Sequence, residues 1–495
     1  MLKDYLKKKV SDKILYIPII IISLVFLYRL IDQAQMMWVF PLDFTNDWSS
    51  YIAQLSFLDK CGFHNLCPYW YNGFISFQLV PPGWFFFTYL ILFFVQDYVK
   101  AAFISMLLIF ILAFFVVYKF GIANKISRTK SVLFFLLLFA NASAIGNYIR
   151  LGRMLEFFSF FLFVLFAFII LYYRDKKFDW KFLFVVPIYS LLLISHQTFA
   201  VLSSLLLISI FLVKDNKNRL IIIYLFLLAL VIDSFWLIDY IKNFFTSAGT
   251  ISPIGLNLFS LDKEYILENF FSVIIPLIFL VIFFIYIKKN KYNRKEILFF
   301  LPIVIISLLF LFRITAFIQV FRYIYADVYM GFILFFILYL FFKNFKINRL
   351  FFFGLLIISI LSLLINVFYT PYFVKHTELE ENTLELLGYV DDSFYITPHK
   401  YTTSYSKAYY SYAPIYLNLS TPSGWYKIKP TSYYDKLREF SDSVVKRDCK
   451  TLKKGAYELN DTYIISYDED CDFLETCRIN KIKQVNNVCL YRFNR

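Results

Sequence analysis

The chain has 495 residues, of which 60% are hydrophobic and 22% aromatic, and its mean hydropathy is +0.63. This apolar share is far above that of soluble domains, so water cannot be the solvent for most of the surface. A net charge of +15 would suit a nucleic-acid-binding protein if the chain were soluble, but here the charge is concentrated in short loops between apolar runs. We therefore expect no nucleic-acid partner.

Long apolar runs recur along the first three quarters of the chain and predict membrane-spanning helices. A helix satisfies its own backbone hydrogen bonds in lipid, and roughly 20 residues cross the hydrocarbon. The apolar stretch 81–96 is shorter and contains Trp84, so we predict that it lies along the outer surface of the membrane. Eleven spans are predicted, at residues 14–30, 98–118, 131–147, 157–173, 182–194, 199–213, 220–240, 271–287, 297–312, 325–342 and 350–369.

The basic residues are unevenly divided between the two ends of these spans. About half of the 50 lysines and arginines lie in the N-terminal segment and in five short loops that contain few acidic residues. The positive-inside rule then predicts a multi-pass protein of the cell membrane with a cytoplasmic N-terminus and an extracytoplasmic C-terminus. A transmembrane domain would comprise residues 1–369, with a first outer loop at 33–97, and residues 370–495 would form an extracytoplasmic domain.

From Thr370 onward the composition changes, because charges of both signs appear. Residues 463–467 and 488–493 alternate as strands do, and residues 433–447 have the pattern of an amphipathic helix. The predicted fold class is therefore an all-α polytopic membrane protein of about 11 transmembrane helices with a small C-terminal extracytoplasmic α/β domain.

All six cysteines lie in segments that this topology places outside, in an oxidising compartment. We predict a disulfide between Cys61 and Cys67 and two more among the other four cysteines, for which three connectivities stay open. The alternative is six free thiols in exposed loops. The other four cysteines are Cys449, Cys471, Cys477 and Cys489.

Two carboxylates, Asp43 and Asp47, begin the first outer loop close to the predicted membrane surface. A carboxylate there can accept a proton from a hydroxyl group or bind a divalent cation. The alternative is that the aspartate only caps the next helix. Further along, Trp70 lies in an aromatic segment, Tyr69–Gly73, of the kind that binds sugars or lipids, although interfacial aromatic belts have the same composition.

Later outer turns carry further polar residues. Arg150, Arg153 and Glu156 lie in a short turn, where the guanidiniums either face a phosphate or pair with the glutamate to close the hairpin. His196 interrupts an apolar stretch at the next outer turn, where a histidine is more often a satisfied turn residue than a catalyst. Arg322 either binds a lipid-linked phosphate or extends toward lipid head groups.

Together these motifs resemble the type C polyprenyl-phosphate-dependent glycosyltransferases, closest to the membrane proteins related to 6-pyruvoyl-tetrahydropterin synthase. The layout is also similar to that of the protein O-mannosyltransferases and the aminoarabinose transferases. The resemblance covers residues 1–370. It rests on the first-loop aspartate and on Leu58-x-x-x-Gly62, Trp70-Tyr-Asn-Gly73, Pro81-Pro82, Gly152-Arg153-x-x-Glu156, His196-Gln-Thr198 and Phe321-Arg322-Tyr323.

The resemblance implies roles for individual residues. The first-loop acid of the family matches Asp47 best, because the Leu58 motif then follows at the usual distance, and Asp43 is the runner-up. Tyr51 stands where many relatives have a histidine, four residues after that acid. The other matches are Glu156, Arg153, His196 and Arg322.

The activity implied is transfer of a sugar from a polyprenyl phosphate, such as a dolichyl phosphate, to a protein, glycan or lipid acceptor outside the membrane, with inversion. Asp47 would be the general base, and Arg153 and Arg322 would stabilise the leaving phosphate. No cofactor is required by this chemistry, but a divalent metal, Mg²⁺ or Mn²⁺, bridging Asp47 and Glu156 stays open, because some relatives use one. Membrane lipid is a further partner, and Tyr51, Trp70 and His196 would line the substrate site.

Two other classes of function fit the composition. A transporter or flippase of lipid-linked saccharides would favour broken helices and inverted repeats, and the sequence shows neither. A non-catalytic membrane scaffold would use its outer domain to bind surface polymers.

Overall fold

The structure of the chain, a computed structural model, describes residues 12–42, 47–244, 266–318, 321, 324–345, 348–398, 405–425 and 428–494. Its larger part is helical. The helices before residue 370 are α1 (Tyr16–Gln33), α2 (Trp48–Lys60), α3 (Gly83–Val95), α4 (Tyr98–Ala123), α5 (Arg128–Phe139), α6 (Ala142–Arg150), α7 (Met154–Tyr173), α8 (Val185–Leu193), α9 (Gln197–Val213), α10 (Asn216–Ile232), α11 (Ser234–Phe244), α12 (Ile266–Lys289), α13 (Arg294–Leu311), α14 (Ala326–Asn344) and α15 (Arg349–Phe368).

Every predicted span overlaps a helix, or a bent pair of helices, of the described chain. In the part of the chain that the structure describes, six helices are long and apolar enough to cross a membrane, or up to eight spans if each of two bent pairs counts as one. The bent pairs are α5 with α6, at 50°, and α10 with α11, at 74°. The chain is therefore a helical membrane protein, whereas the number of eleven spans stays a prediction.

Helix α7 lies at the centre of the bundle, with 94% of its apolar stretch buried inside the protein. Its sequence is apolar on all sides, which a helix tolerates only when it is surrounded by other helices or by lipid. The ring of Phe163 illustrates this packing, because its centroid lies 5.1 Å from that of Phe332 and 5.5 Å from that of Phe335. This packing holds the N-terminal end of α7, which carries Glu156, in a fixed position.

The basic loops meet at the opposite end of the bundle from the first outer loop. Arg174, at the C-terminal end of α7, pairs with Glu296 at 2.8 Å. Lys289 donates a hydrogen bond to the backbone carbonyl of Asn344 at 2.6 Å. The basic loops therefore lie together at one end of the bundle, as the charge pattern predicts. Which side of the membrane that end faces stays a prediction.

The first outer loop folds as a helix, a small hairpin and a second helix. After α2, strands β1 (Leu66–Cys67) and β2 (Phe74–Ile75) pair antiparallel, and α3 follows. Gly83 begins α3 against the turn at Ser195, where a Cβ atom would lie 2.1 Å from the serine Oγ. The backbone N–H of Gly83 also donates to the carbonyl of Ile194 at 2.8 Å, so the start of α3 packs on the helical bundle. Phe93 and Phe94, near its other end, are exposed, and its place along the membrane surface stays a prediction.

The C-terminal domain is a four-stranded sheet with helices. Its elements are α16 (Glu378–Leu387), β3 (Phe394–Ile396), α17 (Tyr405–Tyr416), α18 (Thr431–Val445), α19 (Cys449–Glu458), β4 (Tyr463–Tyr467), α20 (Glu469–Thr476), β5 (Asn480–Val485) and β6 (Val488–Arg492). The strand order is β3-β4-β6-β5, with β3 parallel to β4 and the other pairs antiparallel. The two strands and the helix predicted from the sequence are present as β4, β6 and α18.

Three disulfides close the outer regions, and they choose among the connectivities that the sequence left open. Cys61 bonds to Cys67 in the first loop, as predicted. In the C-terminal domain the two bonds join Cys449 to Cys477 and Cys471 to Cys489. The second pair ties α20 to β6, while the first ties the start of α19 to the end of α20.

Peptide mapping of the unreduced protein is expected to recover these three cross-linked peptide pairs. Alkylation before reduction should modify no cysteine, because all six are paired. Removal of the Cys449–Cys477 bond by a double Ser substitution should lower the free energy of unfolding of the C-terminal domain by about 2–4 kcal/mol. Recovery of a peptide that joins Cys449 to Cys489 would contradict the connectivity.

Candidate active site

The turn between α6 and α7 is built to face the first outer loop. Residues Ile145–Arg150 form a turn of π-helix, an irregularity that often marks a functional site. The backbone then reverses at Gly152, whose φ is +68°, and a Cβ atom there would lie 2.5 Å from the indole ring of Trp48. Glycine is therefore required, and Trp48 fixes the turn by donating its Nε1–H to the carbonyl of Ile149 at 2.9 Å.

Asp47 lies directly beside this turn. Its backbone N–H donates to the carbonyl of Leu151 at 2.7 Å. The residue occupies the N-cap position of α2, yet its side chain makes no capping hydrogen bond. The carboxylate of Asp47 therefore does not cap α2, which was the alternative role that the sequence allowed.

Arg153 is the centre of an ion-pair cluster with carboxylates from two helices. Its Nη1 lies 2.5 Å from Asp327 Oδ2 at the start of α14 and 3.7 Å from Glu156 Oε2 in α7. Asn147 also donates to Asp327 Oδ2, at 3.0 Å, and the ring of Tyr325 lies 5.6 Å from the guanidinium carbon. The ion pair between Arg153 and Glu156 that the sequence allowed exists, but Asp327 is the closer partner.

The electrostatics of this cluster affect Arg153 and Asp47 in different ways. Burial lowers the pKa of the Arg153 guanidinium, but the carboxylates of Asp327, Glu156 and Asp47 outweigh that effect, so the net pKa is raised. Burial raises the pKa of the Asp47 carboxyl, and Arg153 opposes the shift most strongly. A carboxylate with a raised pKa is a stronger base than a solvent-exposed one.

His196 lies at the start of α9, where the fields of Asp327 and Arg153 reach it. Burial lowers its pKa to about 4, so the imidazole is neutral at pH 7. Its Nδ1 is buried and has no hydrogen-bond partner among the described residues. A neutral ring with an unused nitrogen can accept or donate one hydrogen bond to a substrate, and it cannot supply positive charge to a phosphate.

Two of the predicted substrate-binding residues lie in packed cores instead of at the cluster. Tyr51 is buried against the rings of Trp84 and Phe85. Trp70 is buried too, and its Nε1–H donates to the carbonyl of Tyr410 in α17 at 2.7 Å. Trp70 therefore joins the first outer loop to the C-terminal domain. Asp43 and Arg322, two further predicted site residues, lie outside the described residues.

Three comparisons with known proteins place these features in context. No family model matches the chain, and no curated protein sequence matches it. Solved structures do match. An oligosaccharyltransferase of Archaeoglobus fulgidus, in complex with Zn and sulfate, is 12% identical with a TM-score of 0.54, over 90% of this chain and 68% of that one.

Two further structures of the archaeal oligosaccharyltransferase from the same organism match as well. One, AglB in complex with an inhibitory peptide and a dolichol-phosphate, is 10% identical, with a TM-score of 0.53 over 90% of this chain and 69% of that one. The other is tethered to an acceptor peptide containing the NVT sequon and is 11% identical, with a TM-score of 0.53 over 96% of this chain and 74% of that one.

The chain has the fold of a type C glycosyltransferase. At this level of sequence identity the likeness concerns the fold, and it agrees with the resemblance drawn from the sequence motifs. Because the match covers at least 90% of the chain, it includes part of residues 370–495 as well as the helical bundle.

The residues of the cluster can be compared with what a divalent metal needs. Carboxylate oxygens are suitable ligands for Mg²⁺ or Mn²⁺. Arg153 Nη1, however, contacts both Asp327 and Glu156, so a guanidinium already lies between these carboxylates. In the part of the chain that the structure describes, no three His, Cys, Asp or Glu side chains are grouped so as to hold a metal ion. As arranged, these residues do not fit a resident metal.

The sequence motifs missed three residues of the cluster in this type C fold. Asp327 begins α14, and its only local signal is a carboxylate at the edge of an apolar run. Trp425 donates its Nε1–H to Asp47 Oδ1 at 3.3 Å, and Lys407 lies within electrostatic reach of the same carboxylate. Both belong to the C-terminal domain, for which the motifs had suggested no part in the site.

Proposed function

We propose that this chain is a membrane glycosyltransferase that moves a sugar from a polyprenyl-phosphate carrier to an acceptor at the end of the bundle that carries the C-terminal domain. The carboxylate of Asp47, which is unused in capping and lies beside Arg153, is the observation that carries the proposal. The type C fold supports the general class, because the three similar structures reported above are oligosaccharyltransferases, one of them in complex with a dolichol-phosphate.

In the proposed reaction, Asp47 acts as the general base. Its carboxylate takes a proton from the acceptor nucleophile, which attacks the anomeric carbon of the donor sugar. The bond from that carbon to the lipid phosphate breaks, the configuration inverts, and the polyprenyl phosphate leaves as an anion. Because a phosphate is a stable anion, the leaving group needs no acid of tuned pKa, only positive charge.

Among the residues that the structure describes, we propose Arg153 as the cation that stabilises the leaving phosphate. Both of its contacts with carboxylates involve Nη1, and a guanidinium has five N–H donors on three nitrogens. The carboxylates of Asp327 and Glu156 therefore orient the group without using most of its donors. We propose Arg322 as the second cation. His196 is neutral, so its proposed part is a single hydrogen bond to a sugar hydroxyl.

The acceptor is proposed to bind between the first outer loop and the C-terminal domain. A cavity of about 180 Å³ lies between them, lined by Gln54, Gln78 and Lys429 together with apolar side chains that include Trp70. Gln54 belongs to α2, the helix whose N-cap position is Asp47. Two of the matching structures hold a peptide, so a peptide is the first acceptor to test, ahead of glycans and lipids.

The experiment is a transfer assay with the full-length protein in lipid nanodiscs. Polyprenyl-phosphate-linked sugars carrying a radiolabel are incubated with peptide, glycan or lipid acceptors, and the label is followed into the acceptor. Transfer by the wild-type protein supports the proposal. Movement of intact donor across proteoliposomes without transfer indicates a flippase instead, and the absence of both indicates a scaffold.

The proposed sidedness has its own test, independent of catalysis. Cysteines introduced at Lys125 and Lys291, which lie in basic loops, are expected to resist a membrane-impermeant thiol reagent in whole cells. A cysteine at the exposed Lys446 of the C-terminal domain should react. Labelling at Lys125 and Lys291 with protection at Lys446 would reverse the orientation.

A further inference from the structure

One short segment of the C-terminal domain, Thr421–Trp425, is joined to the first outer loop by backbone hydrogen bonds. Thr421 donates to the carbonyl of Tyr69 at 2.8 Å and accepts from the N–H of Asn72 at 3.0 Å. Tyr71 donates to the carbonyl of Ser423 at 3.3 Å. We call Thr421–Trp425 the strap, because it runs along the loop and connects two regions that are distant in sequence.

The strap is also fixed by packing and by a contact from behind. A Cβ atom on Gly424 would lie 2.7 Å from the ring of Tyr71 and 3.0 Å from that of Trp70, so only glycine permits this approach. Tyr433 in α18 donates its hydroxyl to the carbonyl of Pro422 at 2.6 Å. None of these contacts involves Asp47, so the position of the strap does not depend on the carboxylate.

The last residue of the strap is the one that reaches the site. Trp425 Nε1 donates to Asp47 Oδ1 at 3.3 Å, and Lys407 of α17 lies with its Nζ 6.0 Å from the centre of the Trp425 ring. The other charged or titratable groups that act on Asp47 are Arg153, Glu156 and Tyr325, all from the helical bundle. The C-terminal domain thus supplies one donor and one cation to a carboxylate whose other charged or titratable neighbours come from the helical bundle.

We propose that Trp425 is a positioning residue for Asp47, so that the C-terminal domain completes the active site. The indole N–H holds Oδ1 and leaves Oδ2 to accept the proton of the acceptor. It also stabilises the ionised carboxylate, the form that a general base must have before the reaction. This inference rests on the proposed glycosyltransferase function and goes beyond it by giving the outer domain a direct part in catalysis.

The direction of the effect follows from which form the hydrogen bond favours. A donor to the carboxylate lowers its pKa, in opposition to the burial that raises it. Removing the N–H should therefore raise the pKa of Asp47, and a larger fraction of the enzyme should be protonated and inactive at acid pH. The acid limb of the pH profile of kcat/KM is expected to move toward neutral pH.

The test compares Trp425→Phe with Tyr433→Phe in the transfer assay, using the full-length protein and one labelled polyprenyl-phosphate sugar. Trp425→Phe is expected to shift the acid limb upward by about one pH unit, which is roughly a tenfold loss of kcat/KM on the acid side. Tyr433→Phe removes a hydrogen bond from the same strap without touching Asp47, so its acid limb should coincide with that of the wild type.

A second variant guards against loss of folding in Trp425→Phe. Replacement of Trp425 by benzothienylalanine keeps the bicyclic ring but lacks the N–H donor, and it should give the same shift. Acid limbs that coincide with the wild type in both variants overturn the proposal, as does an equal shift in Tyr433→Phe. Absence of transfer by the wild-type protein would instead refute the proposed function, so the two failures are distinguishable.

Discussion

Replacing Asp47 by Asn is expected to abolish sugar transfer while the protein stays folded and inserted in the membrane. General-base catalysis contributes typically about 10²- to 10⁴-fold, and an amide cannot accept the proton. The fold should tolerate the change, because the structural bond at this residue is made by its backbone N–H to Leu151. An asparagine Oδ1 can also still accept from Trp425. The measurement is the initial rate of label transfer, with thermal stability in detergent as the folding check.

Asp43→Asn is the matched control, because both aspartates begin the same loop and only the family resemblance separates them. Its rate of transfer should stay close to that of the wild type. A normal rate in the Asp47 variant together with loss in the Asp43 variant would assign the base to Asp43. Normal rates in both would sink the mechanism as proposed.

Replacing Arg153 by Met is expected to lower the free energy of unfolding by about 3–5 kcal/mol, because it leaves buried carboxylates without their counter-ion. Asp327, at 2.5 Å from Arg153, would lose its nearest partner, and Glu156 would lose its contact with the same guanidinium. The measurement is the temperature at which the protein in detergent loses its monodisperse peak on size-exclusion chromatography. Transfer should be lost as well, because Arg153 is the cation proposed to stabilise the leaving phosphate.

A double-variant cycle with Asp327→Asn separates the structural effect from the catalytic one. The pair Arg153→Met and Asp327→Asn removes the ion pair as a unit, so part of the lost stability should return. Transfer should not return, because no guanidinium is restored. An Arg153→Met protein as stable as the wild type would contradict the electrostatic account of the cluster.

The helical bundle could be predicted from the sequence because its signal is local. An apolar run such as the one that forms α7 has no other stable arrangement in lipid. The basic loops lie between such runs along the chain, so their positions can be read from the sequence as well. The pair Cys61 and Cys67 was predictable for the same reason. The count of spans was not settled, because a break such as the 74° bend between α10 and α11 divides one apolar run into two short helices.

Residue spacing links only those candidates that belong to one turn, whereas Asp47 and His196 were named separately and joined to that turn by the family resemblance. Arg153 and Glu156 are three residues apart, so spacing brings them together. Asp327 is 174 residues from Arg153, and Trp425 is 378 residues from Asp47, and no periodicity links positions so distant. The contact of Trp70 with the C-terminal domain could not be predicted either, because an aromatic residue that joins two domains has the same local sequence as one that stacks on a sugar; its part in substrate binding stays a prediction.

The strap also has a consequence for the order in which the protein is made. At about 5–20 residues per second, a ribosome needs roughly 20–75 s to synthesise the chain between Asp47 and Trp425. During that interval the first outer loop has no partner from the C-terminal domain, and the Cys61–Cys67 bond, which spans six residues, is the cross-link it can form alone. On the proposed mechanism, a nascent chain therefore carries Asp47, the proposed base, long before it carries Trp425, the residue proposed to orient it. Full activity on the acid side of the pH profile would then be reached only near the end of translation, when the C-terminal domain supplies that residue.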